Sequence, residues 1–122
     1  MSDIVPEIGD LSPYKNQIEL IRETANQLIK DFGMHGIEIT FSGNAETAYN
    51  ELSKQVEPVF TKFLIYEPRK LLNLLYSIDI RERKMAEALE LPDLPSRRDA
   101  LIKLVIEREL QKVVTKKLMS GK

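Results

Sequence analysis

Apolar residues along this chain keep two different periods, and the changes between them divide it into elements. From Tyr14 through Ile18, Ile21, Ala25, Leu28 and Phe32 the spacing alternates between four and three residues, which places them on one face of a helix. Ser12 and Pro13 ahead of the stripe suit a helix start. A serine oxygen can accept a free amide, and proline lacks the donor that would otherwise go unpaired. Gly33 follows the stripe directly and predicts an exit through a left-handed residue. The stripe lasts fewer than three heptads, so a packed bundle helix is expected rather than a coiled coil.

The rhythm then shortens. Ile37, Ile39 and Phe41 alternate with Glu38 and Thr40 between Gly36 and Gly43. Period two, β-branched residues and flanking glycines predict a short β-strand at about 37–41. From Ala45 the helical period returns through Ala48, Tyr49, Leu52, Val56, Val59, Phe60 and Phe63, with Asn44 placed to cap it. Pro58 falls inside this run and predicts a kink or break near Val56–Glu57. The stretch 59–66, "VFTKFLIY", carries enough β-formers to be read alternatively as a second strand.

Pro68 opens a short helix with Leu71, Leu72, Leu74, Leu75 and Tyr76 nearly all round it, a pattern expected of a central element. A further short helix covers residues 80–90 and ends at "LPDLP". Ser96, with Asp99 three positions on, is the expected start of a last helix running to about Met119. Along it Ile102, Ile106, Leu110 and Val113 make one stripe. Leu101, Leu104 and Val105 make a second, confined to the front half, whose continuation carries Arg108, Glu109 and Lys112. The front should therefore lie between two neighbours and the back against one. No unit of solenoid length repeats. The expected fold is mainly α, a compact bundle of four to five helices with one short β-strand after the first. Residues 1–12, with Pro6 and Gly9, read as a loosely ordered N-terminal arm, and 13–122 as a single helical domain.

Composition narrows the class. A chain of 122 residues, 43% apolar and 30% charged, matches a water-soluble domain with one core. It has no cysteine, which excludes disulfides and thiolate metal sites and suits a reducing cytoplasm. The acidic, proline-interrupted start is unlike a secretory signal or a basic transit peptide, and no apolar run approaches the ~20 residues of a membrane span. The net charge of −1 is unevenly spread. Residues 1–51 hold nine acids and three bases, residues 97–122 three acids and eight bases. Such an acidic front and basic back can meet within one fold or across two copies.

Candidate chemistry is sparse. Asp79 and Glu82 have capping-box spacing, which explains an acid between two isoleucines as a helix start. His35 is the only histidine, in a glycine-flanked turn, and no motif supplies the partner that acid–base work needs. "FSGNAE" has one glycine before a helix but none of the rest of a phosphate loop. No catalytic, cofactor or metal residue is assigned. Arg97, Arg98, Lys103 and Arg108 lead a basic set that continues through Lys112, Lys116 and Lys117. They spread around the helix axis, without aromatics and broken by acids, unlike a phosphate-binding face.

The strand is the informative feature, because a lone strand leaves backbone groups unpaired. Ile37, Ile39 and Phe41 are therefore the expected contact residues of a small non-catalytic interaction protein. Its expected partner is a second copy, as a homodimer, or another protein, and not nucleic acid or a membrane. The N-terminal arm around Ile4 and Val5 could also pair with the strand. Two alternatives are a nucleic-acid-binding accessory protein using Arg97, Arg98, Lys103 and Arg108, and a small enzyme with an unrecognised site joining His35 to Asp79, Glu82 or Glu109.

Overall fold

Five α-helices follow one another in the computed structural model, which describes residues 17–120: α1 (Ile18–Gly33), α2 (Ala48–Tyr66), α3 (Pro68–Ile78), α4 (Glu82–Leu89) and α5 (Leu94–Ser120). The expected arm of residues 1–12, its pairing with the strand, and the Ser12–Pro13 helix start lie outside the described residues. A single 3-10 turn, Ala45–Thr47, leads into α2. Helix α5, about 40 Å long at 1.5 Å per residue, is the spine against which α1, α2, α3 and α4 all pack. Its front half supplies Leu101, Ile102 and Val105 to the main core, where Phe32 of α1 and Phe60 of α2 stack with centroids 6.2 Å apart. Its back half forms a smaller cluster, Leu110, Val113 and Val114 with Leu20 of α1. The front-and-back division expected from the two stripes is thus what the packing displays.

No strand forms among the described residues, and the expected one at 37–41 is an extended run lying along α2. Side chains of that helix meet part of its backbone, at Thr40 and Ser42. Gln55 clamps Thr40 at both peptide groups, accepting its N–H through Oε1 at 2.9 Å and donating Nε2 to its carbonyl at 2.8 Å. Glu51 accepts the Ser42 N–H at 3.0 Å. A primary amide offers the same donor–acceptor pair as a neighbouring strand, so Thr40 needs no ladder. The alternation still puts one face in and one out: Ile39 is 4% exposed within the core, and Ile37 and Phe41 pack against it.

Several helix ends also differ from expectation. The left-handed residue after α1 is Gly36 (φ 76°), not Gly33, with Ile37 N–H returning to the Phe32 carbonyl at 3.0 Å. Asp79 does not open α4. It closes α3 in the left-handed region (φ 71°), with Ile80 N–H to Leu75 O at 3.1 Å and Asp79 N–H to Tyr76 O at 3.0 Å. Those two bonds are the Schellman pattern, which usually employs glycine at that place. Helix α2 runs unbroken through Pro58, and 59–66 is helical; the proline lies on an exposed face, where water can take the carbonyl it leaves without a donor. Helix α3 buries Leu71, Leu74, Leu75 and Ile78 but leaves Tyr76 half exposed, so it is one-sided rather than apolar all round. Helix α5 begins at Leu94, capped by Asp93, whose Oδ1 accepts the Ser96 N–H at 2.8 Å. Asn44 caps the turn before α2 as expected, accepting from Glu46 N–H at 3.0 Å.

Candidate functional site

A cleft of about 930 Å³ opens between the start of α1, the turn before α2 and the middle of α5. Its floor is apolar: Ile21 of α1, Ala48 and Leu52 of α2, Ile106 and Leu110 of α5. Ile18 and Tyr49 stand at its mouth, 58% and 52% exposed. The periodicity of α1 assigns Ile18 and Ile21 to the buried stripe, but helix packing covers that stripe only from Leu20 onward. Ile18 stands exposed at the opening and Ile21, half-buried, lines the cleft behind it.

Polar contacts hold the walls in place. Arg22 donates through Nε to the Gly43 carbonyl at 3.0 Å and ties α1 to the turn that carries Asn44 and Glu46. Glu51 accepts from the Ser42 and Thr47 hydroxyls at 2.6 Å each, and these bonds hold its carboxyl below the usual range. Around the rim Arg22 and Lys103 contribute positive charge, Glu46 and Glu107 negative. The Tyr49 phenol is raised above its ordinary value by burial and by the nearby charges of Glu107 and Asp99. Tyr49 is therefore a neutral hydroxyl on an otherwise apolar ring, able to bury its face and keep its polar tip wet.

A second group lies in the α1–α5 seam. Glu109 is completely buried, and as a carboxylate neither oxygen has a hydrogen bond. Lys112 Nζ is 3.2 Å from Glu109 Oε1 but donates to Asp31 Oδ2 at 2.7 Å, while Gln27 donates to Asp31 Oδ1 at 3.0 Å. Burial, and then Asp31 as a neighbour, push the Glu109 carboxyl up to about 8 against the pull of Lys112. Burial also acts to raise Asp31, but hydrogen bonds from Lys112 and Glu109, the Lys112 charge and Gln27 outweigh it and hold Asp31 low. Stripe geometry placed Glu109 on the solvated continuation of α5. A signal for burial was nonetheless present, since Glu109 lies seven residues after Ile102 and four before Val113, both in contact with the interior.

The remaining candidates are distributed among structural tasks. His35 is exposed, with Nε2 2.9 Å from Ser77 Oγ, and Ser77 spends its own hydrogen on the Leu74 carbonyl at 2.7 Å. The imidazole N–H is thus the donor, the reverse of a base activating a serine. The shallow depression beside His35 is walled by Glu38, Lys62, Glu67 and Lys70; Asp79, Glu82 and Glu109 are not in it. Arg97 donates to the Leu91 carbonyl at 2.6 Å, and Arg98 pairs with Asp99 at 2.9 Å. Arg108 spans Asp79 Oδ2 at 3.0 Å and the Ile78 carbonyl at 3.3 Å. Of the four, Lys103 stands exposed at the cleft rim. Ile37, Ile39 and Phe41 belong to the core side of their segment, and Gln55 and Glu51 bond the Thr40 peptide groups and the Ser42 N–H beside them. Among the described residues no three His, Asp or Glu side chains gather as metal ligands, and no helix is long and apolar enough to cross a membrane. The chain matches no family model, no curated protein and no solved structure.

Proposed function

We propose that this chain is a non-catalytic interaction domain that pairs with a second copy of itself through the α1–α2–α5 cleft. The cleft carries the proposal: an apolar floor open to solvent, with Ile18 and Tyr49 exposed at its mouth and both signs of charge on its rim. A two-fold contact sets one patch against its own image, so the patch must be self-complementary. Arg22 and Lys103 of one copy can face Glu46 of the other while Ile18 and Tyr49 enter the facing floor. A partner with one uniform charge would suit this rim less well. The cytoplasm, expected from the absence of cysteine, is the proposed setting.

Light scattering after size exclusion, over a concentration series, tests the proposal. The mass should rise from 14.0 kDa toward twice that value. Tyr49→Asp, at a half-exposed position, should return it to monomer with unchanged helical circular dichroism. A monomer at every concentration up to about millimolar, the weak limit of specific association, would overturn the proposal. So would a dimer indifferent to Tyr49→Asp.

A further inference from the structure

We infer that Asp31, Glu109 and Lys112 form a proton-operated latch between α1 and α5. Two carboxyl groups face one ammonium in a seam from which water is excluded at Glu109. With one proton retained, the charges balance and Glu109 has a hydrogen to offer, for which Asp31 is the adjacent acceptor. Without it, the Lys112 ammonium 3.2 Å from Glu109 Oε1 must balance two carboxylates at once, and neither buried Glu109 oxygen has a hydrogen bond of good geometry, a state that burial disfavours. The cheapest relief is for α1 and α5 to part and let water reach the carboxylate.

Two other basic groups of α5 are engaged elsewhere. From α5, Arg108 turns to Asp79 at the end of α3, at 3.0 Å, and Lys117 reaches Glu23 of α1 at 3.4 Å. From α1, Gln27 supports Asp31 and adds no charge. Lys112 is therefore the cation that serves both carboxyls. The latch also sits where the two apolar clusters adjoin, next in sequence to Leu110 of the smaller one. Parting there detaches the back half of α5 from Leu20 while the Phe32–Phe60 core holds. Because α1 and α5 are two walls of the cleft, deprotonation should also weaken pairing of copies; that consequence alone rests on the self-association reading.

Carboxyl carbon NMR on the full chain tests the latch directly. Glu109 should titrate near 8, with Asp31 reporting the same transition, and amides of α1 and the back of α5 should exchange faster at pH 9 than at pH 6. After correction for intrinsic base catalysis, the excess over α4 amides should be about a hundredfold, the weight of the two pH units between 6 and the Glu109 value of about 8. Glu109→Gln keeps a donor for Asp31 but cannot ionise, and should abolish the excess. If that variant fails to fold, the wild-type titration decides. Glu109 titrating near its ordinary 4.5, or an exchange ratio equal in all helices, would overturn the latch. A latch that titrates as expected in a chain that is always monomeric would sink only the pairing.

Discussion

At Thr40 one side chain replaces a whole strand. The Gln55 amide meets both peptide groups of Thr40, and removing it leaves two polar groups without their partners. Gln55→Leu should destabilise the chain by about 0.5–1.5 kcal/mol, since water can reach the exposed Thr40 groups it frees, measured by urea unfolding, with no change in assembly. Glu109 works in the opposite sense, since its folded-state pKa is raised above 4.5 to about 8. The folded state then binds the proton more tightly than the unfolded one. Stability from this group is complete below pH 4.5 and is lost as pH climbs through about 8. Asp31, held low, contributes stability above its ordinary 3.8 and loses it in stronger acid. Glu109→Gln should therefore flatten the fall in melting temperature between pH 5 and about 8.5, where the wild type declines by the equivalent of a few kcal/mol. Neither partnership was visible in the chain, because Gln55 is 15 residues from Thr40 and Lys112 is 81 from Asp31. Spacing reports neighbours on one element, not across two.

Elements were easier to read than their ends. Long apolar stripes identified α1, α2 and α5, since helical period survives whatever packs against it. Ends depend on which residue the tertiary fold turns left-handed, and Asp79 departs from the expected start of α4 because it closes α3 instead, a place acids fill far less often than helix starts. Its non-glycine left-handed backbone is strained, and its ion pair with Arg108 is largely solvated on the Asp79 side, 83% exposed. Asp79→Gly should be neutral or stabilising by up to about 1 kcal/mol, whereas Asp79→Ala should cost about 1 kcal/mol, both read from chemical denaturation. Pro58 is the matching case inside a helix. It forfeits one backbone hydrogen bond in α2, so Pro58→Ala should stabilise by about 1–3 kcal/mol. A melting temperature unchanged by that substitution would mean the helix has already absorbed the proline at no cost.

Across the molecule, the acidic front and basic back meet within one chain at two ion pairs among the described residues. Asp31–Lys112 and Glu23–Lys117 bind α1 to α5, and Arg97, Arg98 and Arg108 are drawn into caps and turns. This spending of bases on structure leaves Lys103 at the cleft rim as an exposed member of that leading set. Pairing through the cleft should depend more on apolar contact than on charge, so the dimer expected in dilute buffer should persist at about 0.5 M salt, where a pairing held by exposed charges would be screened. Sedimentation at the two salt concentrations separates these outcomes. The mainly helical class, the number of helices and the two-stripe character of α5 were all legible from the order of residues, because hydrophobic periodicity is a local property that any burial preserves. The cleft, the meeting of Glu109 with Asp31 across two helices and the fate of 37–41 were decided by the tertiary structure alone. They depend on which faces the helices leave uncovered and which distant side chains arrive to meet a peptide group, and no period along a single chain encodes either.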